Sequence, residues 1–295
     1  MSSLDKALEY YVANPWLCWG VVPFVAINIG QWTPILTLDW AINKSWAAPY
    51  LIEYGGASRK PRLELLEKVR EKISLSRQYK EALWNSFGPS AIINAILGIW
   101  FLPFLMGKPT KPCPTLTEFV VSMVLMEYID DFALYCFHSL EHYKFWHWHQ
   151  YHHSFTTPSA VSTIVIGEID IAIQGFIPIL IACMSVRAHP ILYAAHGFMR
   201  ALESAVNHAG LDSPIIRAFL LKTYLPFGTS PAFHDCHHRY SNYGKGAKNL
   251  GEQFWIWDWM FGTLATANIG STAQEKNQAV EAQQVQTAQD TVKAE

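Results

Sequence analysis

Every one of the 12 histidines falls between His138 and His238, so the fold must bring them together across an apolar block running from Ser159 to Phe198. Eight of the 12 form three spaced groups: His138-Ser-Leu-Glu-His142, His149-Gln-Tyr-His152-His153 and His234-Asp-Cys-His237-His238. On a helix, residues three or four apart share a face, so each group offers two or three imidazoles able to converge on a metal. Neutral imidazole suits iron, zinc, copper or nickel, and clustered histidines without a metal would repel one another whenever they protonated. The eight histidines of these groups exceed the four positions of one zinc, and two metal ions are the economical explanation. The groups meet only if an even number of membrane crossings separates His153 from His234, and the intervening block has the length for two.

The same block places the chain in a membrane. Hydrophobic residues make up 51% and charged residues 16%, against the roughly 25% charge usual in soluble domains, which leaves too little polar surface to cover a globule. A first apolar region, 14–41, is interrupted by Gln31 and Pro34. Residues 59–80 then carry eight Lys/Arg interleaved with Leu63, Leu66, Val69 and Ile73 at helical spacing, which predicts a cytosolic amphipathic helix. Segments 86–107 and 115–137 read as one hairpin. Ser159 to Phe198 reads as a second, turning near Gly175 and Pro178. The expected fold is an all-α integral membrane protein with about four transmembrane helices in hairpins and a cytosolic histidine-rich metal-binding cap.

Three regions are expected: 1–114 with N-terminal membrane segments and the amphipathic helix, 115–265 as the catalytic domain, and 266–295 as a disordered tail rich in Ala, Gln and Glu. A net charge of −2 without a basic stripe beyond residues 59–80 argues against nucleic acid as a partner. Five scattered cysteines, never spaced as CxxC, suggest neither a disulfide framework nor a zinc-thiolate site. Acidic charge near the N-terminus and no basic region before an apolar one give no expectation of a cleaved signal peptide.

With these motifs in hand, the chain resembles the fatty acid hydroxylase superfamily of membrane di-iron enzymes, which includes sterol desaturases, sphingolipid and fatty-acid hydroxylases and methylsterol oxidases. The resemblance covers about residues 115–265. It is carried by the histidine groups, by Arg200-Ala-Leu-Glu-Ser-Ala-Val-Asn-His208-Ala-Gly-Leu-Asp-Ser-Pro214, by Asn242-Tyr243-Gly244 and by Trp257-Asp258-Trp259-Met260-Phe261-Gly262-Thr263. Phe233 stands where methylsterol oxidases carry a further histidine, and Ser139 where they carry arginine. The resemblance implies that His138, His142, His149, His152, His153, His208, His234, His237 and His238 ligate two iron ions. It also implies O2 as co-substrate, cytochrome b5 with an NAD(P)H-dependent reductase as electron donor, and an endoplasmic reticulum membrane location with the metal site facing the cytosol. No GxGxxG or haem motif occurs here, in keeping with an external donor. The expected activity is lipid C–H hydroxylation, preferably of a C-4 methyl sterol or sterol-like triterpenoid. A fatty-acyl or sphingoid-base hydroxylase or desaturase is the alternative, and a non-catalytic metal-binding membrane scaffold a third.

The remaining polar residues divide. His147, out of phase with its group, and His189, before Pro190, read as structural. His196 lies twelve residues before His208, about 18 Å along a helix, and is left outside the ligand set. Asp130 and Asp131 could orient ligand imidazoles or simply mark a helix end. Glu168 and Asp170 are candidates because ionisable groups in apolar segments are functional by default, or they mark where the block begins. Glu203, Asn207 and Asp235 neighbour expected ligands and could support them, whereas Cys236 is not counted as a ligand.

Overall fold

The computed structural model describes residues 2–53, 61–107, 109–241, 243–265 and 271–272. Arg59, Lys60, Asn242 and the expected tail, apart from residues 271–272, lie outside the described residues. In chain order the helices are α1 (Ser3–Ala13), α2 (Val22–Ala41), α3 (Arg62–Lys72), α4 (Leu75–Phe87), α5 (Pro89–Met106), α6 (Leu116–Tyr143) and α7 (Trp146–His149). They continue with α8 (Glu168–Asp170), α9 (Ile177–Val186), α10 (Pro190–His208), α11 (Pro214–Arg217), α12 (Pro231–Tyr240) and α13 (Ile256–Phe261). Two short strands, β1 (Ile52–Glu53) and β2 (Ser271–Thr272), pair antiparallel.

Among the described residues, three helical stretches are long and apolar enough to cross a bilayer: Trp16–Ala41, Leu75–Met106 and Glu168–Val186. Their apolar windows are only 22%, 17% and 22% buried in the protein, so most of that surface faces outward, where only hydrocarbon would accept it. Trp100 and Phe104 on α5 are 71% and 84% exposed. The helix α6 begins at a capping box, Thr115 with Glu118. Its 28 residues give about 42 Å, ample for a crossing, but Glu118, Glu127, Asp130 and Asp131 keep it from being apolar throughout.

The expected hairpins are rearranged. The helix α6 packs on α9 rather than on α5. The block from Ser159 does not turn at Gly175 and Pro178. Gly175 lies in a π-helical stretch, Ile171–Phe176, and Pro178 follows it inside the continuous helical run Glu168–Val186, which accommodates the proline without reversing direction. The turn comes instead at Arg187, in the left-handed region at φ 49°, where the N–H of Ala188 returns to Cys183 O. Residues Ala160–Ile164 form a 3-10 turn packed on α10 rather than the start of a span.

The basic segment is likewise two helices, broken at Ile73–Ser74, with the Ser74 hydroxyl capping α4 at Arg77 N. Leu66, Val69 and Ile73 are buried as expected, while Leu63 is exposed. Arg62, expected on the polar face, is 2% exposed. Its Nη2 lies 2.7 Å from Asp235 Oδ1 and donates to Pro158 O at 2.7 Å, and Nη1 donates to Ile52 O at 3.3 Å. The guanidinium fits only because Gly210 has no side chain: a Cβ there would lie 2.1 Å from Arg62 Nε.

The core runs along α2 and α10. Gly30 lets the two backbones meet, since a Cβ there would fall 2.3 Å from Phe198 O, the close approach that small residues allow between membrane helices. Removing one partner of a buried ion pair strands the other charge. Arg62→Met is therefore expected to destabilise the protein by about 3–5 kcal/mol, and Arg62→Met/Asp235→Leu to recover most of that loss, as read by denaturant unfolding in detergent.

Candidate metal centre

Four elements deliver nine imidazoles to one buried place. Helix α6 supplies His138 and His142, one turn apart on its inward face. The turn after it supplies His149 from the end of α7 and His152 and His153 from a 3-10 segment. His208 ends α10, and α12, begun by Pro231 at its first turn, supplies His234, His237 and His238. All nine are at most 5% exposed.

The imidazoles sort into two groups whose nitrogen atoms lie within 4.8 Å of one another: His138, His142, His149, His153 and His237 in one, His152, His208, His234 and His238 in the other. Each sequence motif does not build one site, as its spacing alone suggests. Partners four apart (138/142, 149/153, 234/238) share a group, whereas His152 and His237, three after the first histidine of their motifs, cross to the opposite one. Neighbouring side chains on a helix diverge by about 100°, so each His-His pair serves both groups.

Hydrogen bonds fix the tautomers. Nδ1 of His138 donates to Leu250 O at 2.7 Å, that of His237 to Lys248 O at 2.7 Å, that of His208 to Ser204 O at 2.7 Å, and that of His149 to Asp170 Oδ2 at 2.9 Å. Each of these rings therefore turns a bare Nε2 lone pair inward. Yet Nε2 of His138 and Nε2 of His149 are 3.1 Å apart, and Nε2 of His208 meets those of His152, His234 and His238 at 3.2, 3.1 and 3.0 Å. Two lone pairs cannot hydrogen-bond, and His208 has only one to offer three neighbours. A cation among them resolves both conflicts. The all-nitrogen donor set suits a borderline transition metal rather than Mg2+ or Ca2+.

Electrostatics keep the rings ready to ligate. Burial pushes His138 down to about 4, and burial first, with neighbouring imidazoles second, holds His149, His153, His234, His237 and His238 well below the ordinary histidine value. The loop that carries the Leu250 carbonyl is held in turn by two carboxylates, while the Lys248 carbonyl also accepts from the Ser241 hydroxyl at 2.8 Å. Asp131 accepts the N–H groups of Glu252, Gln253 and Phe254 at 3.0, 2.8 and 2.9 Å. Asp258 accepts those of Leu250 and Gly251 at 2.7 and 2.8 Å.

The other expected candidates separate. Asp131 acts through this loop and not on an imidazole. Asp130 pairs with Arg200 at 2.9 Å, and Arg200 also pairs with Glu252 at 2.5 Å. His196 is bound to Glu127 at 3.1 Å, away from both groups. Asp170 touches His149, while Glu168 is exposed. Asp235 meets Arg62, and Asn207 accepts from the buried Lys222 Nζ at 2.6 Å. Glu203 accepts from Lys222 N at 3.1 Å. His147 is exposed, and His189 caps α10. Arg200, Lys222, Glu141 and Glu252 were not singled out by sequence; the helical spacing of Arg200, Glu203, Asn207 and His208 was the signal for that face.

A cavity of about 260 Å³ ends at the four-histidine group. His152, His208 and His234 line it, as do Thr163, Ser204 and Glu252, and its walls continue along α2, α5 and α10 to Trp19 and Tyr193.

Residues 123–263, which hold all nine histidines, match the family model described as fatty acid hydroxylase. This part of the chain is a fatty acid hydroxylase domain. The chain is 27% identical over 208 residues to the very-long-chain aldehyde decarbonylase GL1-10 of Oryza sativa subsp. japonica, covering 66% of this chain and 65% of that one. It is 28% identical over 155 residues to methylsterol monooxygenase 1-3 of Arabidopsis thaliana, covering 52% of this chain and 50% of that one. The match thus spans about half to two thirds of the length of these curated relatives. No solved structure matches. The hydroxylase domain begins after α5, so α2 and Arg62, which wall the cavity and brace α12, come from outside it.

Two outcomes follow from the sorting. His152→Ala and His153→Ala, although adjacent, should each remove about one bound metal equivalent from different groups, so that Co2+ spectra of the two variants differ while their stoichiometry agrees. In the metal-free protein, imidazoles depressed by burial take up protons more readily when unfolded. Its stability should accordingly be full above the ordinary value of 6.5 and fall as the pH drops from there towards about 4.

Proposed function

We propose that the protein is an O2-dependent membrane di-iron oxygenase that hydroxylates a C–H bond of a lipid. A C-4 methyl sterol or sterol-like triterpenoid is the preferred substrate. The observation that carries this reading is the placement of two adjacent all-imidazole groups, one of them lining a cavity walled largely by apolar side chains beside outward-facing apolar helices. The nine histidines His138, His142, His149, His152, His153, His208, His234, His237 and His238 are proposed as the iron ligands.

The balance is RH + O2 + 2 electrons + 2 protons giving ROH + H2O. Bound iron supplies the activation of O2 that an unactivated C–H bond requires, since such a bond offers no acid or base handle. The protein's own part is to hold the imidazoles neutral, fix their tautomers through the 248–254 loop, and admit a lipid from the bilayer while excluding water. Cytochrome b5, reduced by an NAD(P)H-dependent reductase, is the proposed electron source. The proposed location is the endoplasmic reticulum membrane, with α6 as a fourth span and the metal centre on the cytosolic side. Residues 115–265 are the proposed catalytic unit, with 1–114 as membrane segments and cavity wall and 266–295 as a tail.

A second reading, oxidation of a linear lipid by a fatty-acyl or sphingoid hydroxylase or desaturase, is favoured by the rice relatives, whose names specify very-long-chain aldehydes. The two readings part in one experiment. Protein loaded anaerobically with Fe2+ is given 18O2, cytochrome b5 with its reductase, and a lipid extract containing 4,4-dimethyl sterols and very-long-chain acyl lipids. We expect 18O in the sterol fraction; label confined to linear lipids, or a new double bond in them with 18O only in water, selects the second reading. Protein holding two irons that labels no lipid, or that takes up only zinc, would sink the oxygenase reading.

A further inference from the structure

The cavity is long and unevenly polar, and this bears on which carbon of a substrate meets the metals. Tyr193 and His208 both line it, fifteen residues apart on one helix, so it extends about 22 Å along α10. At the His208 end stand Thr163 and Ser204, whose hydroxyl oxygens are 3.0 Å apart, with the Arg200–Glu252 ion pair beside them. Ser204 is one turn from His208, about 6 Å along the axis, and its carbonyl fixes the His208 ring. The far end is walled by Trp19, Tyr193 and Ile179.

Two hydroxyls sharing one hydrogen bond retain a donor hydrogen and free acceptor lone pairs. A third hydroxyl can accept from one and donate to the other, closing a small network that hydrocarbon cannot. We infer that the Thr163–Ser204 pair is the subsite for the polar head of the substrate, an uncharged lipid alcohol, which enters head-first and is oxidised at a carbon next to the group that bears oxygen. The inference rests on the oxygenase reading of the same site and goes beyond it by naming the subsite and the end of the lipid attacked.

A rival subsite lies on the wall between the two ends. Gln31 and Asn94 line the cavity there, and Gln31 follows Gly30, which abuts Phe198, ten residues or about 15 Å before His208. A polar group held by those amides would leave the oxidised carbon far from it.

Binding separates the two poses without requiring turnover. The probes are a 3-hydroxy-4,4-dimethyl sterol and its 3-deoxy analogue, and a long-chain primary alcohol with the matching alkane, each titrated by equilibrium binding against metal-loaded protein in detergent. One hydrogen-bonded head group is worth roughly 1 kcal/mol, so at least one alcohol should bind about fivefold tighter than its deoxy partner. Thr163→Val/Ser204→Ala should bring that ratio to about one with bound metal unchanged, and Gln31→Leu/Asn94→Leu should leave it intact. Thr163→Ser, which keeps both hydroxyls, should also preserve it and guards against misfolding of the double variant. A ratio near one for both pairs in the wild type, or a ratio lost only in the amide variant, overturns the head-first pose. A wild type with the expected ratio but no 18O transfer overturns the oxygenase reading and leaves the subsite standing.

Discussion

Bare imidazole lone pairs held face to face inside a dry protein are the constraint on which the rest of this structure depends. Burial removes the proton that would let such nitrogens hydrogen-bond to one another, and the Nδ1 bonds to Leu250, Lys248 and Ser204 carbonyls remove the freedom to turn away. The Leu250 carbonyl, which receives the His138 N–H, stays in place because Asp131 and Asp258 gather the N–H groups of residues 250–254. Asp131 belongs to the same helix as His138 and His142. One helix thus carries two ligand candidates and the carboxylate that anchors the loop fixing one of them. A cation among the rings would offset this cost of buried polarity.

Helix α10 joins the metal centre to the membrane. Its first residues follow the outward-facing apolar span Glu168–Val186, its middle presses on α2 at Gly30, and its last residue is His208. Its cavity-lining residues pass from Tyr193 and Gly197 to the polar Arg200, Ser204 and His208 towards that end. The sequence of residues gives an apolar wall at one end and a ligand candidate at the other without a change of element. Arg62 adds a brace from outside the hydroxylase domain, touching the turn after the second histidine motif through Pro158 O and the third motif through Asp235.

The grouping of eight histidines was legible because helical spacing is a local property, His208 was added only by the resemblance, and the structure brings all nine together. Their division was not, because it depends on how α7 and α12 are rotated towards α6. Membrane character was legible from composition, and three apolar stretches match it in length. The hairpins were misplaced for a nameable reason: Gly175 and Pro178 are usual turn signals, yet a π-helical stretch holds the first and the helical run continues through the second, while Arg187 turns in the left-handed conformation without glycine. Arg62 was read as surface charge because its partner, Asp235, is 173 positions away, beyond the reach of any spacing rule. Asp131 was legible as a supporting group but not the means, which runs through backbone N–H groups that no sequence pattern marks.

The two histidine groups are also unequal in what they face. Three members of the four-histidine group line the cavity, whereas none of the five-histidine group does. The five-histidine group is instead backed by Glu141, Asp170 and Gln174, with Gln174 donating to Glu141 at 2.6 Å and reaching the cavity wall as well. If both groups ligated equally and faced substrate equally, this lining would be symmetric. The asymmetry places the four-histidine group at the cavity and the five-histidine group behind it, enclosed by α6, α7 and the loop that Asp131 holds. On the proposed reading, a substrate would meet the four-histidine group directly and the five-histidine group only through the imidazoles between them.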